Sequence, residues 1–126
     1  MLRESQISAY VPVSNVERGR RFYEGVLEQE PRQADDNGVL YECANNSLFF
    51  MYLSDGAGSS RASCAFWSVD DVEKEVAELK ERGVNFERYD VPGLSMDGDI
   101  ATGGGTKSAW FKDPDGNILA LIQVLV

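Results

Sequence analysis

The pattern of apolar and polar positions occurs twice along the chain, with an offset of 56 residues, as between Val13 and Val69. In each copy an apolar, strand-like run ends at a polar residue, and an acidic helix start follows. Self-similarity of this kind indicates one supersecondary unit used twice, with a ligand-sized space between the copies. We therefore predict a single domain, residues 1–126, built from two modules and a linker, at about 5–55, 63–126 and 56–62.

The first module is predicted to begin with a strand at residues 7–13, where apolar side chains alternate with polar ones. Ser14-Asn15-Val16-Glu17 fits a capping box that opens a helix through about residue 27. Two further strands, at 39–43 and 47–53, are predicted on either side of a tight turn at Asn45-Asn46.

The second module follows the same scheme, with a strand at 63–69 and a helix from Asp70-Asp71 to Gly83. Between residues 91 and 106 the chain is rich in glycine and has no periodicity, so a binding loop and a disordered excursion both fit. The remaining strands are predicted at 86–89, 107–112 and 117–124, the last two joined by the turn Asp113-Pro114-Asp115-Gly116.

The amino-acid composition limits the kinds of molecule that the protein is expected to bind. A net charge of −9 argues against nucleic acid, since phosphate binding needs clustered Lys and Arg, and favours cationic or neutral small molecules. No apolar run approaches the ~20 residues of a membrane span, and the first residues lack the apolar stretch of a signal peptide. We therefore expect no membrane contact and a cytoplasmic location, with Cys43 and Cys64 reduced and unpaired.

Three segments together resemble the vicinal oxygen chelate superfamily of glyoxalases, bleomycin resistance proteins and dioxygenases. They are Val13-Ser14-Asn15-Val16-Glu17-Arg18, the helix entry Val69-Asp70-Asp71-Val72, and the turn Asp113-Pro114-Asp115-Gly116-Asn117. The resemblance implies an α+β fold in which two tandem βαβββ modules form a curved mixed sheet around a concave groove, with the helices outside. Bleomycin-resistance-like members are typically dimers, which implies a homodimer here.

Enzymes of that superfamily hold a divalent metal ion with His, Glu or Gln side chains on equivalent strands. By the resemblance, the ligand positions fall on Ser8 and Cys64, on Ala120, and near Phe49 or Met51, where the register is uncertain by one residue. None of these is an expected ligand. The chain also contains no histidine, which removes His-based metal sites and every Ser-His or Cys-His nucleophile pair. We therefore expect neither a metal ion nor another cofactor, and no catalytic residue is nominated.

Alternation along the strands predicts an apolar and aromatic groove lining with a few small polar groups, typical of an organic-ligand pocket. Acidic loop residues near its mouth, Asp97 and Asp99, are candidate contacts for a cation held against the rings. The predicted lining is Ser8, Tyr10, Tyr41, Phe49, Met51, Cys64, Phe66, Ser68, Trp110, Ala120 and Ile122.

Three functions remain open at this point. The first is a metal-free binding protein for an aromatic or cationic small molecule, resembling the antibiotic-sequestering bleomycin resistance proteins. The second is a glyoxalase-like lyase, isomerase or dioxygenase-type enzyme with unusual metal ligands or none, although no paired carboxylates at fixed spacing nominate its base. The third is a non-catalytic interaction module whose groove is filled by its own side chains.

Overall fold

The structure is a computed structural model that describes residues 1–125. The chain divides into two compact units, Met1–Ser59 and Ser60–Val126. Each unit is a β-sheet with one helix packed on one of its faces. The α+β class predicted from the sequence is confirmed, with mixed sheets of four and six strands.

The first unit contains four strands in the spatial order β1-β4-β3-β2, where β1 and β4 are parallel and the other pairs antiparallel. Its helix α1 continues without a break into a π-helical segment, Arg21–Val26. The elements are β1 (Ala9–Val13), α1 (Val16–Arg20), β2 (Glu30–Asp35), β3 (Gly38–Glu42) and β4 (Leu48–Leu53).

Local chemistry explains where these elements start and stop. Asn15, rather than Ser14 as the capping-box pattern predicted, is the N-cap of α1, because its side-chain oxygen accepts a hydrogen bond from the Arg18 amide at 2.9 Å. The turn between β3 and β4 forms where predicted, and Asn45 and Asn46 take left-handed φ values of 57° and 61°. Asparagine tolerates this conformation better than most residues.

The first unit differs from the prediction in two respects. The strand predicted at 7–13 begins only at Ala9, and Ile7, which is 96% exposed, precedes it. The edge strand β2 was not predicted, because none of its residues is buried and they lack an apolar alternation.

The second unit contains a path of five strands, β5-β10-β9-β8-β7, and the short strand β6 pairs with β9. The β5 and β10 strands are parallel, as β1 and β4 are in the first unit. The elements are β5 (Ser63–Ser68), α2 (Val72–Glu81), β6 (Phe86–Glu87), β7 (Ser95–Asp97), β8 (Ile100–Gly103), β9 (Thr106–Lys112) and β10 (Ile118–Val124).

The α2 helix begins and ends where its sequence predicts. Asp71 is the N-cap and accepts a hydrogen bond from the Lys74 amide at 3.1 Å, and Gly83 follows the helix with a φ of +90°. The predicted turn between β9 and β10 also forms. The buried Asp113 carboxylate accepts hydrogen bonds from the Asp115 and Asn117 amides at 3.0 and 2.9 Å.

The prediction of an irregular loop at 91–106 is wrong in one respect, because this segment contains the β7–β8 hairpin. Gly98 lies in the turn of this hairpin with a φ of +63°, a value that glycine adopts without strain. Among the helices of residues 1–125, none is long and apolar enough to cross a membrane.

Candidate functional site

The register between β1 and β4 decides which side chains of the first unit face its helix. Ala9 and Val11 pair with Phe49 and Met51. A Cβ atom added at Gly19 of α1 would lie 2.6 Å from the Met51 sulfur, so this side of the sheet is the one that the helix covers. Phe49 and Met51 are buried there, at 6% and 0% exposure. The prediction that these two residues line a groove is therefore wrong.

Tyr41 is also on the helix side of the sheet, since it pairs with Phe49 and its side chain is fully buried. Its hydroxyl donates a hydrogen bond to the Glu24 carboxylate at 2.9 Å, and Arg20 Nε donates to the same oxygen at 2.7 Å. Burial, followed by the bond to Glu24, raises the pKa of the Tyr41 hydroxyl well above its usual value. Tyr41 is a core residue, and its predicted place in the groove lining is wrong.

The opposite side of the same sheet has its own aromatic cluster. Tyr10 lies across from Phe50 in the strand register, and their ring centroids are 5.7 Å apart. The ring of Tyr52 is closer still, with its centroid 3.8 Å from that of Tyr10. Tyr10 is 62% exposed, so the cluster is accessible from outside. We call Tyr10, Phe50 and Tyr52 the aromatic cluster.

Gly38 supports the aromatic cluster through the space that it leaves. It pairs with Tyr52, and a Cβ atom there would overlap the Met51 carbonyl oxygen and lie 3.0 Å from the Phe50 ring. The Phe50 ring therefore lies against bare backbone. A shallow cavity of about 110 Å³ opens beside it, lined also by Gln33 and Leu40.

In the second unit, the predicted lining residues Phe66, Ser68, Trp110, Ala120 and Ile122 share one side of the sheet. That side is opposite α2. The helix is instead contacted by Gln123, the next residue along β10, whose side-chain oxygen accepts a hydrogen bond from the Val72 amide at 3.0 Å. Phe66 is 59% exposed on this side, while Ala120 is buried.

Tyr89 extends the aromatic surface of the second unit. Its ring meets Trp110 edge-on, with centroids 5.4 Å apart, and its buried hydroxyl has no hydrogen-bond partner among residues 1–125. Desolvation, with the nearby Glu87 as a second cause, raises the pKa of that hydroxyl. Trp67, by contrast, is on the helix side, where it stacks on Phe111.

The two predicted polar residues at the strand starts, Ser8 and Cys64, are both exposed. Ser8 precedes β1, and Cys64 lies at an irregularity where the pairing of β5 with β10 shifts by one residue. Partial desolvation of the thiol, followed by the nearby Asp113 carboxylate, raises the pKa of Cys64. The thiol is therefore held in its neutral, weakly nucleophilic form.

The candidate cation contacts differ in their surroundings. Asp99 is only 11% exposed and already binds two cations of the chain, because Lys80 Nζ and Arg88 Nε lie 2.6 and 3.2 Å from its carboxylate oxygens. These partners, Lys80 first, lower the pKa of Asp99. Asp97 lies in β7 and is exposed. Of the two, Asp97 is the carboxylate that these ion pairs leave accessible.

A cavity lies at the carboxyl ends of the parallel strands β5 and β10, beside the start of α2. It has a volume of about 490 Å³ and is lined by residues 68–70 and 122–125. Pockets of this size accommodate small organic ligands. Two of its residues, Ser68 and Ile122, were predicted from the sequence.

Several residues of these surfaces were missed. Phe50 and Tyr52 were missed because every position of β4 is apolar or aromatic. The pattern therefore does not show which side chains of the strand share a face of the sheet. Tyr89 was assigned only to a strand. Asp70 was interpreted as part of a helix start, although its place directly after an apolar strand is a usable signal for a site at a strand end.

One protein family matches the chain along most of its length. The family model described as the Glyoxalase/Bleomycin resistance protein/Dioxygenase superfamily matches residues 6–121. The chain belongs to this superfamily. The resemblance inferred from the sequence motifs is thereby confirmed. No curated protein matches the chain by sequence.

Solved structures of the superfamily share the fold at low sequence identity. The bleomycin resistance determinant encoded on transposon Tn5 is 22% identical with a TM-score of 0.72, over 97% of this chain and 99% of that one. An antibiotic binding protein from Streptomyces sp. CB03234 is 22% identical with a TM-score of 0.63, over 94% and 96%. Lactoylglutathione lyase from Agrobacterium tumefaciens is 15% identical with a TM-score of 0.68, over 94% and 93%. Because a resistance determinant, an antibiotic binding protein and a lyase share this fold, the fold does not decide the function.

The metal ion implied by the enzymes of the superfamily does not fit the side chains present. Tyr10 pairs with Phe50 in the first unit as Phe66 pairs with Ala120 in the second, so Phe50 is the strand position equivalent to Ala120. Neither side chain has a donor atom, and Ser8 and a neutral Cys64 thiol are weak ligands. Within residues 1–125, no group of three His, Cys, Asp or Glu side chains could hold a metal ion.

Proposed function

We propose that this protein binds an aromatic or cationic organic molecule without a metal ion and sequesters it unchanged, as a bleomycin-resistance-type member of its superfamily. The observation on which the proposal rests is the replacement of metal-ligand positions by rings and small apolar groups. Where an enzyme of the superfamily would present donor atoms, this chain presents Phe50 and Ala120. Rings at such positions stack on flat guests, and they do not chelate ions.

The exposed rings support an aromatic ligand. Tyr10 and Phe66 are 62% and 59% exposed although each lies within a strand. Large apolar side chains left in water forgo about 1.5–3 kcal/mol each of burial free energy. A ligand that covers them recovers part of that free energy. This argument applies separately to the sheet face of each unit.

The charge of the protein supports a cationic ligand. The net charge of −9 produces a negative potential that attracts cations and repels anions. Cations also bind favourably over the faces of tryptophan, tyrosine and phenylalanine rings. The proposal includes two expectations from the sequence, a homodimer and a cytoplasmic location, which sedimentation and cell fractionation test directly.

The two tryptophans provide a matched pair of reporters for ligand binding. The chain has two Trp residues. Trp110 is on the side of its sheet opposite α2, and Trp67 is on the helix side. Variants W67F and W110F each keep one of them. Titration with a panel of planar cationic drugs should quench the fluorescence of W67F, which keeps Trp110, and leave that of W110F nearly unchanged.

The outcomes separate the binding proposal from its alternatives. Flat titrations with every drug in both variants would contradict it, as would equal quenching of the two tryptophans. Metal analysis of protein purified without chelators tests the enzyme alternative independently. One divalent ion per chain would restore that alternative, and substoichiometric traces would agree with the proposal.

A further inference from the structure

The cavity at the carboxyl ends of β5 and β10 has a chemistry that selects among ligands. Its volume of about 490 Å³ suits a small organic molecule. Ile122 and Val124 supply an apolar wall, and Ser68 supplies a hydroxyl. Asp70 is the charged residue among those that line it, and no Lys or Arg is among them. The lining therefore combines aliphatic and neutral polar side chains with a single negative charge.

The start of α2 lies beside this cavity, and a helix N-terminus commonly binds anions through its free amides. Here the chain itself satisfies three of those amides. The Val72 amide donates to the Gln123 side chain at 3.0 Å, and the Lys74 amide donates to the Asp71 carboxylate at 3.1 Å. The Glu75 amide donates to the Asp71 carbonyl oxygen at 3.2 Å. Three amides of the first turn are thus unavailable to an anionic ligand.

The Asp70 carboxylate has no counter-ion of its own. Within residues 1–125 it forms no salt bridge, and it is exposed at the cavity. The ammonium group of Lys107, which lies across from Gln123 in the β9–β10 register, is 2.6 Å from the Glu73 carboxylate instead. This ion pair lowers the pKa of Glu73 and raises that of Lys107, so both groups stay charged and paired. Lys107 is thereby withheld from Asp70.

We propose that this cavity binds the ammonium group of an organic cation at Asp70, with the apolar part of the same molecule along Ile122 and Val124. The inference rests on the proposed binding function and narrows its ligand class to amines that have an apolar body. The same arrangement disfavours carboxylates and phosphates, because Asp70 repels them and three amides of the first α2 turn are already bonded.

The test uses two probes of the same size that differ in charge. The first is 2-phenylethylammonium, and the second is its neutral analogue 2-phenylethanol. Amide chemical shifts in ¹⁵N-labelled protein are followed during each titration. The ammonium probe should shift the amides of residues 68–70 and 122–125, and the alcohol should bind there about three- to fivefold more weakly, as expected for an exposed ion pair.

Three variants locate the charge dependence. D70N should weaken binding of the ammonium probe to the level of the alcohol. D90N, which removes another exposed carboxylate that does not line the cavity, should leave binding of the probe unchanged. S68K introduces an ammonium group of the chain's own next to Asp70 and should abolish binding of the probe. Raising the salt concentration should weaken binding of the ammonium probe to the wild-type protein but not to D70N.

Each result bears on one proposal or on both. Equal affinity for the two probes, shifts confined to other residues, no shift with the ammonium probe, or an unchanged affinity in D70N would overturn this site. Drug binding that is reported by Trp110 and survives D70N would leave the proposed function standing and overturn this site alone. Flat drug titrations together with no amide shifts would overturn both.

Discussion

Tyr10 and Phe50 face each other across the parallel strands β1 and β4, with ring centroids 5.7 Å apart. The flanking residues Phe49 and Met51 point to the other side of the sheet, where α1 covers them. Neighbouring positions of β4 thus belong to different parts of the molecule. One set builds the core, and the other forms an accessible ring surface.

Adjacent phenylalanines of β4 should therefore respond differently to truncation. F49A should destabilise the protein by about 3–5 kcal/mol, because Phe49 is 6% exposed and its removal leaves a cavity. F50A should lower the free energy of unfolding by about 1 kcal/mol or less, since the Phe50 ring is part-exposed. It should nevertheless weaken the binding of aromatic ligands about fivefold, because their stacking on this ring is lost. Urea unfolding and drug titration of both variants check this. Equal destabilisation would contradict the assigned sides of the strand.

A second prediction concerns the glycine under the Phe50 ring. G38A should destabilise the protein by about 2–3 kcal/mol, because its new Cβ overlaps the Met51 carbonyl oxygen and presses on the ring. It should also weaken binding by displacing Phe50.

Gly25, in the π-helical segment, is the matched control for this substitution. A Cβ atom there has no neighbour within 4 Å, so G25A should stabilise the protein by about 0.5–1 kcal/mol. Thermal unfolding of the two variants gives the comparison. A neutral G38A would mean that the backbone at β3 adjusts easily.

The bonds of Glu24 predict a loss of stability in acid. The hydrogen bond from Arg20, with the one from Tyr41 as a further cause, lowers the pKa of Glu24 in the folded protein. An unfolded glutamate titrates near pH 4.3. The stabilisation is therefore fully present above about that pH and is lost as the pH falls through the lower folded pKa.

The variant E24Q should be less stable at neutral pH and should have a shallower decline below about pH 4.3. E30Q provides the control, since Glu30 is exposed at the start of β2. Urea unfolding from pH 3 to 7, about the range of carboxylate titration, measures both. An acid decline that is identical in wild type and E24Q would show that other carboxylates are responsible.

The ion pairs of Asp99 predict that it holds the β7–β8 hairpin in place. Its carboxylate joins Lys80 on α2 and Arg88 after β6 to the hairpin turn. D99N should raise amide hydrogen exchange in residues 95–103 severalfold and leave the rest of the second unit unchanged. D97N, which alters an exposed neighbour in β7, is the control. Unchanged exchange in D99N would assign the order of the hairpin to its strand pairing with β9 alone.

The sequence predicted the elements that bury only one of their faces. Val11 and Val13 alternate with Tyr10 and Pro12, so a strand with one buried face was evident, and β1 has that structure. The starts and stops at Asp71 and Gly83 were equally clear, because capping and left-handed conformations favour specific residue types.

The other features depend on which strands pair with one another, and the pattern of residues along the chain does not reveal this. The sides of β4 were predicted wrongly because its six residues, Leu48–Leu53, are all apolar or aromatic, and a slip of one residue exchanges the two faces. The edge strand β2 was missed because pairing with β3, rather than burial, keeps it extended. The cavity at Asp70 requires the ends of β5 and β10 to be adjacent, which only the sheet topology establishes.

The absence of a side chain at Gly38 has an evolutionary consequence. Tyr10, Phe50 and Tyr52 can each be exchanged for another ring, and so the shape offered to a guest can drift under selection. Any such drift depends on a bare α-carbon beneath Phe50, because even a methyl group there collides with Met51. Libraries that seek new ligand preferences should vary the rings and leave that codon fixed.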